Sequence, residues 1–249
     1  MNQLLASSQQ EFLAPAGMDL DDLERTLESM LSHKVDFAEL FFQSTRHESW
    51  VLESGIVKDA SFSSDKGVGV RALTGEKTGF AYSEEILMPA LQQAATASKS
   101  IALNGGGGTV ALKASGAVKP LYSPDDPLLS LNEEQKLEIL HKLDAYARAL
   151  DSRVNEVIAS LSGVYENILV CASDGTLASD VRPLVRANVT VIMKDGSRTE
   201  RGSSGAGGRE SYAILNDELL QQMANEAVHQ AIINLLAIAA PAGNMPVVL

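Results

Sequence analysis

The chain lays out one order of elements twice: a helix, a run of strands, then another helix. In the first half, Asp19 can cap a helix whose apolar positions, Leu20, Leu23, Leu27, Met30 and Leu31, share one face. Strand-like segments follow from Asp36-Phe37-Ala38-Glu39-Leu40-Phe41-Phe42, divided by turn signals at Ser54-Gly55, Asp65-Lys66-Gly67 and Thr74-Gly75-Glu76. A spacing of about 8–12 residues predicts short strands in an antiparallel meander. Val68, Val70 and Ala72 alternate with Gly69 and Arg71, the pattern of a strand with one buried side. A helix over about 84–101 closes this half, with Leu87, Leu91, Ala94 and Ala97 on one stripe.

The second half opens on Ser130-Leu131-Asn132-Glu133, read as a capping box, before a helix marked by Leu137, Leu140, Leu143, Ala147 and Leu150. Strands resume near Glu156. Ser173-Asp174-Gly175-Thr176 and Lys194-Asp195-Gly196-Ser197 predict hairpins, since Asp-Gly suits the positive φ angles of type I′ turns. The last helix, about 217–239, carries Leu220, Met223, Ala224, Ala227, Val228, Ala231, Ile232, Leu235 and Leu236, a nearly unbroken stripe that must pack against a sheet or a partner. The fold class is therefore α+β: antiparallel β-meanders packed with amphipathic helices, in two pseudo-repeated helix–strands–helix units. The repeat is one of pattern and not of residues.

The expected boundaries are a flexible N-terminus over 1–18 and one domain over 19–240, divided into a first unit (about 19–103), a linker (about 104–128) and a second unit (about 129–240). Gly105-Gly106-Gly107-Gly108 is read as linker; a phosphate loop would continue Gly-Lys-Ser/Thr, whereas Thr109-Val110-Ala111 follows. Over 241–249 a turn at Pro241-Ala242-Gly243-Asn244 precedes the apolar run Met245-Pro246-Val247-Val248-Leu249. The expectation there is the first strand of a further domain, because a bare apolar strand needs neighbours to bury it.

Charge excludes one class of partner. With 20 basic and 32 acidic residues the net charge is −12, which repels phosphate backbones, so no direct nucleic-acid contact is expected. The single cysteine, Cys171, cannot form an intrachain disulfide and sits in the apolar run Ile168-Leu169-Val170-Cys171-Ala172 as a small buried residue. No basic n-region with an apolar core opens the chain, and 227–240 is too short to span a bilayer. A cytoplasmic protein without membrane contact is expected.

No complete active site is legible. His33, His47, His141 and His229 never fall at i, i+4 or i, i+5, so no local zinc-binding helix can be built. His47-Glu48 begins like a zincin motif, but Val51 and Leu52 stand where its second histidine would be, in a strand-like context. His33 and His141 read as surface or capping residues; His229, beside the apolar stripe, reads equally as a surface residue or as a partly buried packing residue. There is no Gly-x-Ser-x-Gly elbow. Glu84-Glu85 and Glu133-Glu134 are read as helix openings favoured by the dipole. No catalytic residue and no metal ligand is assigned. The unusual segment is Arg201-Gly202-Ser203-Ser204-Gly205-Ala206-Gly207-Gly208-Arg209. Bare backbone can pair with an extended peptide and arginine can hold a carboxylate, making Arg201, Gly205, Gly207, Gly208 and Arg209 candidate substrate-binding residues. The competing expectation is a mobile loop.

Several stretches, in order, resemble one family. They are His47-Glu48-Ser49-Trp50-Val51-Leu52-Glu53, Gly67-Val68-Gly69-Val70-Arg71-Ala72, Gly75-Glu76-Lys77-Thr78-Gly79-Phe80-Ala81-Tyr82, Asp174-Gly175-Thr176-Leu177-Ala178, Asp180-Val181-Arg182-Pro183-Leu184-Val185-Arg186, and Ala240-Pro241-Ala242-Gly243 running into Met245-Pro246-Val247-Val248-Leu249. Together they resemble the N-terminal half of the TldD/PmbA metallopeptidase family. The resemblance implies that the strand begun at Pro246 leads, beyond this sequence, to a helix bearing His-Glu-x-x-x-His, whose histidines bind zinc with a later cysteine and whose glutamate activates water. Zinc is thus expected in the full-length protein and not in this chain, and Cys171 is not the ligand cysteine. The family is associated with cleavage of unfolded peptides, maturation of a peptide antibiotic, antitoxin degradation and an earlier description as a modulator of DNA gyrase. Its N-terminal half resembles a cover, substrate-channel and assembly domain that meets a PmbA/TldE-like subunit. The resemblance implies an inactive piece of an active zinc peptidase; the alternative is a free-standing, non-enzymatic binding module for a PmbA-like partner.

Overall fold

The computed structural model describes residues 3–31, 35–101, 110–114, 121–240 and 242–246. The elements run α1 (Gln3–Phe12), α2 (Leu20–Leu31), β1 (Phe37–Glu53), β2 (Ile56–Thr74), β3 (Lys77–Ser83), α3 (Met88–Ile101), β4 (Lys113–Ala114), α4 (Glu133–Leu150), β5 (Val154–Ala172), β6 (Thr176–Asp195), β7 (Arg198–Gly208) and α5 (Asp217–Leu236). The strands form one seven-stranded sheet in which β3-β2-β1 and β5-β6-β7 are antiparallel meanders. They join through an antiparallel β1–β5 pair running from Glu39↔Ala172 to Glu53↔Ile158. The short β4 adds in parallel beside Thr176 and Leu177 of β6. The two units therefore share one continuous sheet.

Helices α1 to α5 pack on one face. In β1 the buried residues Ala38, Leu40, Phe42, Ser44, Glu48 and Leu52 are every one even-numbered, and in β6 Leu177, Val181, Val185, Ala187, Val189, Val191 and Met193 are every one odd-numbered. A period of two places each set on a single side. Along that side lie two apolar clusters. One gathers α1, α2 and α3 over Leu40, Phe42, Val70 and Leu169; the other gathers α4 and α5 over Leu161, Ala187, Val189 and Val191. Between them the midline is polar, and α1 is tied across it where Ser8 donates to Asn167 Oδ1 at 2.7 Å and Asn167 donates to Glu11.

Several sequence expectations are corrected. Residues 3–12 are not a flexible lead-in: α1 buries Leu5 and Phe12, and Phe12 packs on Phe42. The strands are long, from 17 to 20 residues for β1, β2, β5 and β6. Asp65-Lys66-Gly67 makes no turn, because β2 runs straight through it; Gly67 is bare where a Cβ would meet the Ser83 carbonyl at 2.8 Å. The helix expected from 84 starts at Met88, with Ser83 Oγ accepting from the Glu85 N–H ahead of it, so Glu84-Glu85 opens no helix. The capping box of α4 is Asn132 with Gln135, two residues later than read: Gln135 N–H donates to Asn132 Oδ1 at 2.9 Å and the Asn132 N–H to Gln135 Oε1 at 3.0 Å. Asp19 and Asp22 do exchange such bonds at the start of α2. Both Asp-Gly sites are hairpin turns, but only Gly175 and Gly196 take positive φ, so neither is type I′. The turn with two successive positive φ angles is Ser54-Gly55.

The described parts of the expected linker are built into the fold. Val110 is buried, its N–H donates to Glu28, and the Leu112 N–H donates to Glu24 at 2.8 Å. His33, Gly105 to Gly108, Pro241 and 247–249 lie outside the described residues. Among the described residues, no helix is long and apolar enough to cross a membrane.

Candidate functional site

The candidate binding segment is not a loop. Arg201, Gly205, Gly207 and Gly208 belong to β7, an edge strand paired on one side with β6, opposite Ile192, Asn188, Arg186 and Val185 respectively. Its glycines have distinct causes. A Cβ on Gly202 would stand 2.1 Å from the Ala227 carbonyl oxygen and 2.5 Å from the Ala231 nitrogen, so bare backbone lets α5 lie directly on the strand. On Gly207 a Cβ would meet the Val185 carbonyl at 2.2 Å, whereas on Gly205 it would meet the side-chain ends of Asn188 at 2.5 Å and Arg186 at 3.1 Å. The helix also ties the strand by side chains. Gln230 accepts from the Ser203 N–H at 2.7 Å, Glu226 from the Ser204 hydroxyl at 2.7 Å, and Asn234 donates to the Arg201 carbonyl at 2.8 Å. The bonds from Gln222 and Ser204 hold the Glu226 carboxyl below its usual range.

Arg209 lies just past the strand, its guanidinium 5.3 Å from the centre of the Tyr122 ring. Nothing in the sequence pairs these residues; the fold brings the approach to α4 against the exit from β7. Burial, then the hydrogen bond to Asp180, pushes the Tyr122 hydroxyl up from its ordinary value. That hydroxyl donates to Asp180 Oδ2 at 3.1 Å, and Arg182 Nε holds the same carboxylate at 2.8 Å. Leu121, Tyr122, Ser123 and Asp125 on one side, and Gly208, Arg209, Glu210 and Ser211 on the other, line a cleft of about 490 Å³. Arg201 stands apart from it, exposed on β7.

Beside the cleft, the chain after β7 is anchored in the interior. Tyr212 is buried and its hydroxyl donates to Glu48 Oε1 at 2.8 Å. Lys136 Nζ reaches Glu48 Oε1 at 2.7 Å and the Leu128 carbonyl at 2.8 Å. Burial, reinforced by Glu48, drives the Tyr212 hydroxyl far above its ordinary range. Glu48, the glutamate of the false zincin start, is thus one member of a buried structural cluster.

Chemistry of the other candidates is equally plain. His47 lies in β1 between Ser63 and Val164, and His141 and His229 are exposed on α4 and α5. Burial pushes the Cys171 thiol up to about 12, which leaves it an inert protonated core residue. Among the described residues, no three or more His, Cys, Asp or Glu side chains converge as metal ligands. These residues do not fit a zinc centre, and no metal-dependent step is assigned to them.

Two family models match the chain: the PmbA/TldA metallopeptidase domain 1 over residues 38–102, and the central domain of the same family over 126–235. The chain belongs to the PmbA/TldD metallopeptidase family. It is 47% identical to the metalloprotease TldD homolog of Haemophilus influenzae, covering 95% of this chain and 51% of that protein. It is 39% identical to the homolog of Buchnera aphidicola from Acyrthosiphon pisum, over 92% of this chain and 49% of that protein. The chain thus spans about half the length of the curated relatives it matches. Its fold matches that of a putative modulator of a DNA gyrase from Thermotoga maritima, with a TM-score of 0.67, 16% identity, and 83% and 46% of the two chains covered. TldE from Thermococcus kodakarensis matches with a TM-score of 0.63 and 18% identity over 86% and 47%.

Proposed function

We propose that this chain is the cover, substrate-channel and assembly part of a cytoplasmic zinc metallopeptidase that cleaves unfolded peptides beside a PmbA/TldE-like subunit. The observation that carries this reading is the match of two successive metallopeptidase-family domains to a chain that spans about half the length of its relatives. Zinc and the water-activating glutamate are assigned on this reading to the part of the relatives' length that this chain does not span. The part of this chain is physical: past Ser203, where the side chains of α5 no longer bond its backbone, β7 offers an edge nearly free of side chains at Gly205 and Gly207, on which an extended peptide can pair by backbone hydrogen bonds. Arg201 and Arg209 flank that edge.

The test compares this 249-residue chain with a protein of the relatives' full length, assayed on an unfolded polypeptide with zinc measured by elemental analysis. The longer protein is expected to bind zinc and hydrolyse the substrate, and this chain to do neither. Peptidase activity with stoichiometric zinc in this chain alone would overturn the proposal. In the longer protein, Arg209→Ala is expected to weaken cleavage while changing stability by no more than about 0.5 kcal/mol, as for an exposed position.

A further inference from the structure

The cleft beside Arg209 carries charges of both signs that the fold leaves unspent. Arg209 stacks on Tyr122 and, among the described residues, has no ion pair or hydrogen bond. The adjoining Glu210 likewise has no partner there. Asp125 uses one carboxylate oxygen, Oδ2, to accept from the Ser123 hydroxyl at 2.5 Å. Asp180 behind them is different, since the Tyr122 hydroxyl and Arg182 already satisfy it. Among the described residues that line the cleft, the charged groups left with bonding capacity are the Arg209 guanidinium and the Asp125 and Glu210 carboxylates.

That set discriminates. A simple anion drawn to Arg209 would also meet Asp125 and Glu210. A simple cation drawn to the carboxylates would meet Arg209. A ligand bearing one group of each sign satisfies both walls. The volume, about 490 Å³, falls within the range of about 300–1,000 Å³ usual for small-molecule sites, and the Tyr122 ring and exposed Leu121 give it an apolar side.

We infer that the cleft holds a short peptide by its two free ends, the carboxylate on Arg209 and the ammonium between Asp125 and Glu210. The guanidinium fork suits a planar carboxylate, and charge-assisted bonds are about twice as strong as neutral ones. The inference rests on the peptide-handling reading above and gives it a ligand class: small zwitterionic peptides, the size of cleavage products, rather than the middle of a long chain.

The test titrates tri-alanine, its N-acetyl form and its C-terminal amide into the isotope-labelled chain while amide signals are followed by NMR. Tri-alanine is expected to shift the signals of Tyr122 and of Gly208 to Ser211, and either cap to weaken binding at least about tenfold, or roughly 1.4 kcal/mol. Arg209→Gln is expected to abolish the shifts. Arg25→Gln removes the same charge from the exposed side of α2, away from the cleft, and is expected to leave them intact. Equal binding of capped and free peptides, equal loss in both arginine variants, or no shift at about 10 mM peptide, ten times a millimolar Kd, would overturn the inference. Such a failure leaves zinc-dependent cleavage by the longer protein untouched, so the two readings fall separately.

Discussion

Lys136→Met is expected to destabilise the chain by about 3–5 kcal/mol, the cost of leaving a buried carboxylate without its cation. Lys136 and Glu48 keep only 5% and 10% of their side-chain surface exposed, so water cannot replace the lost partner. The ammonium spans Glu48 on β1 and the Leu128 carbonyl in the turn ahead of α4, and Tyr212 adds its hydroxyl to the same carboxylate. Removing it unpairs three elements together. For a chain of this size each kcal/mol lowers Tm by about 2–4 °C, so a fall on the order of 10 °C should appear in thermal unfolding. The double variant Glu48→Gln with Lys136→Met separates charge from packing. It removes both charges and is expected to be more stable than Lys136→Met alone. Equal stability of the single and double variants would show that the loss is one of volume and not of an orphaned charge.

This cluster also shows where the sequence stops being readable. Glu48 lies 88 residues from Lys136 and 164 from Tyr212, and no local pattern links them. Amphipathic stripes were legible because burial is periodic: the apolar positions read in α2, α4 and α5 include the buried Leu23, Leu27, Leu140, Leu143, Met223 and Ala227. Alternation likewise located Val68, Val70 and Ala72 on the covered face of β2. Glycine was the misleading residue. At Ser54-Gly55 it does mark a turn, but Gly67 and Gly202 mark places where another backbone comes too close for a Cβ. The same residue type answers two needs, and only tertiary contact distinguishes them. The cleft was hidden for a similar reason. Tyr122 sits in a Gly-, Ser- and Pro-rich stretch that reads as linker, and it meets Arg209 only because the fold sets it on Asp180 of β6, the strand that also carries β7.

The two kinds of glycine in β7 can be separated by a single methyl group. Gly202→Ala is expected to cost about 2–3 kcal/mol, at the upper end for overpacking, because its Cβ would fall 2.1 Å from the Ala227 oxygen and 2.5 Å from the Ala231 nitrogen. Both are main-chain atoms of α5, so the helix must lift off the strand to make room. The bonds from Ser203 to Gln230 and from Asn234 to Arg201 would lengthen with it. Gly205→Ala meets two side-chain ends that can swing towards solvent, Asn188 Oδ1 at 2.5 Å and Arg186 Nη2 at 3.1 Å, and one main-chain atom, the Ala187 carbonyl oxygen at 3.2 Å, which has to give by only a few tenths of an ångström. Replacing glycine there also lowers the entropy of the unfolded chain, a gain of about 0.4–1 kcal/mol that offsets part of any crowding. Gly205→Ala is therefore expected to stay within about 1 kcal/mol of the parent in urea unfolding. Amide exchange should quicken in α5 and β7 for the first variant and not for the second. If Gly202→Ala proved as stable as Gly205→Ala, the close seat of α5 on β7 would be wrong, and with it the explanation of why this edge strand is so poor in side chains.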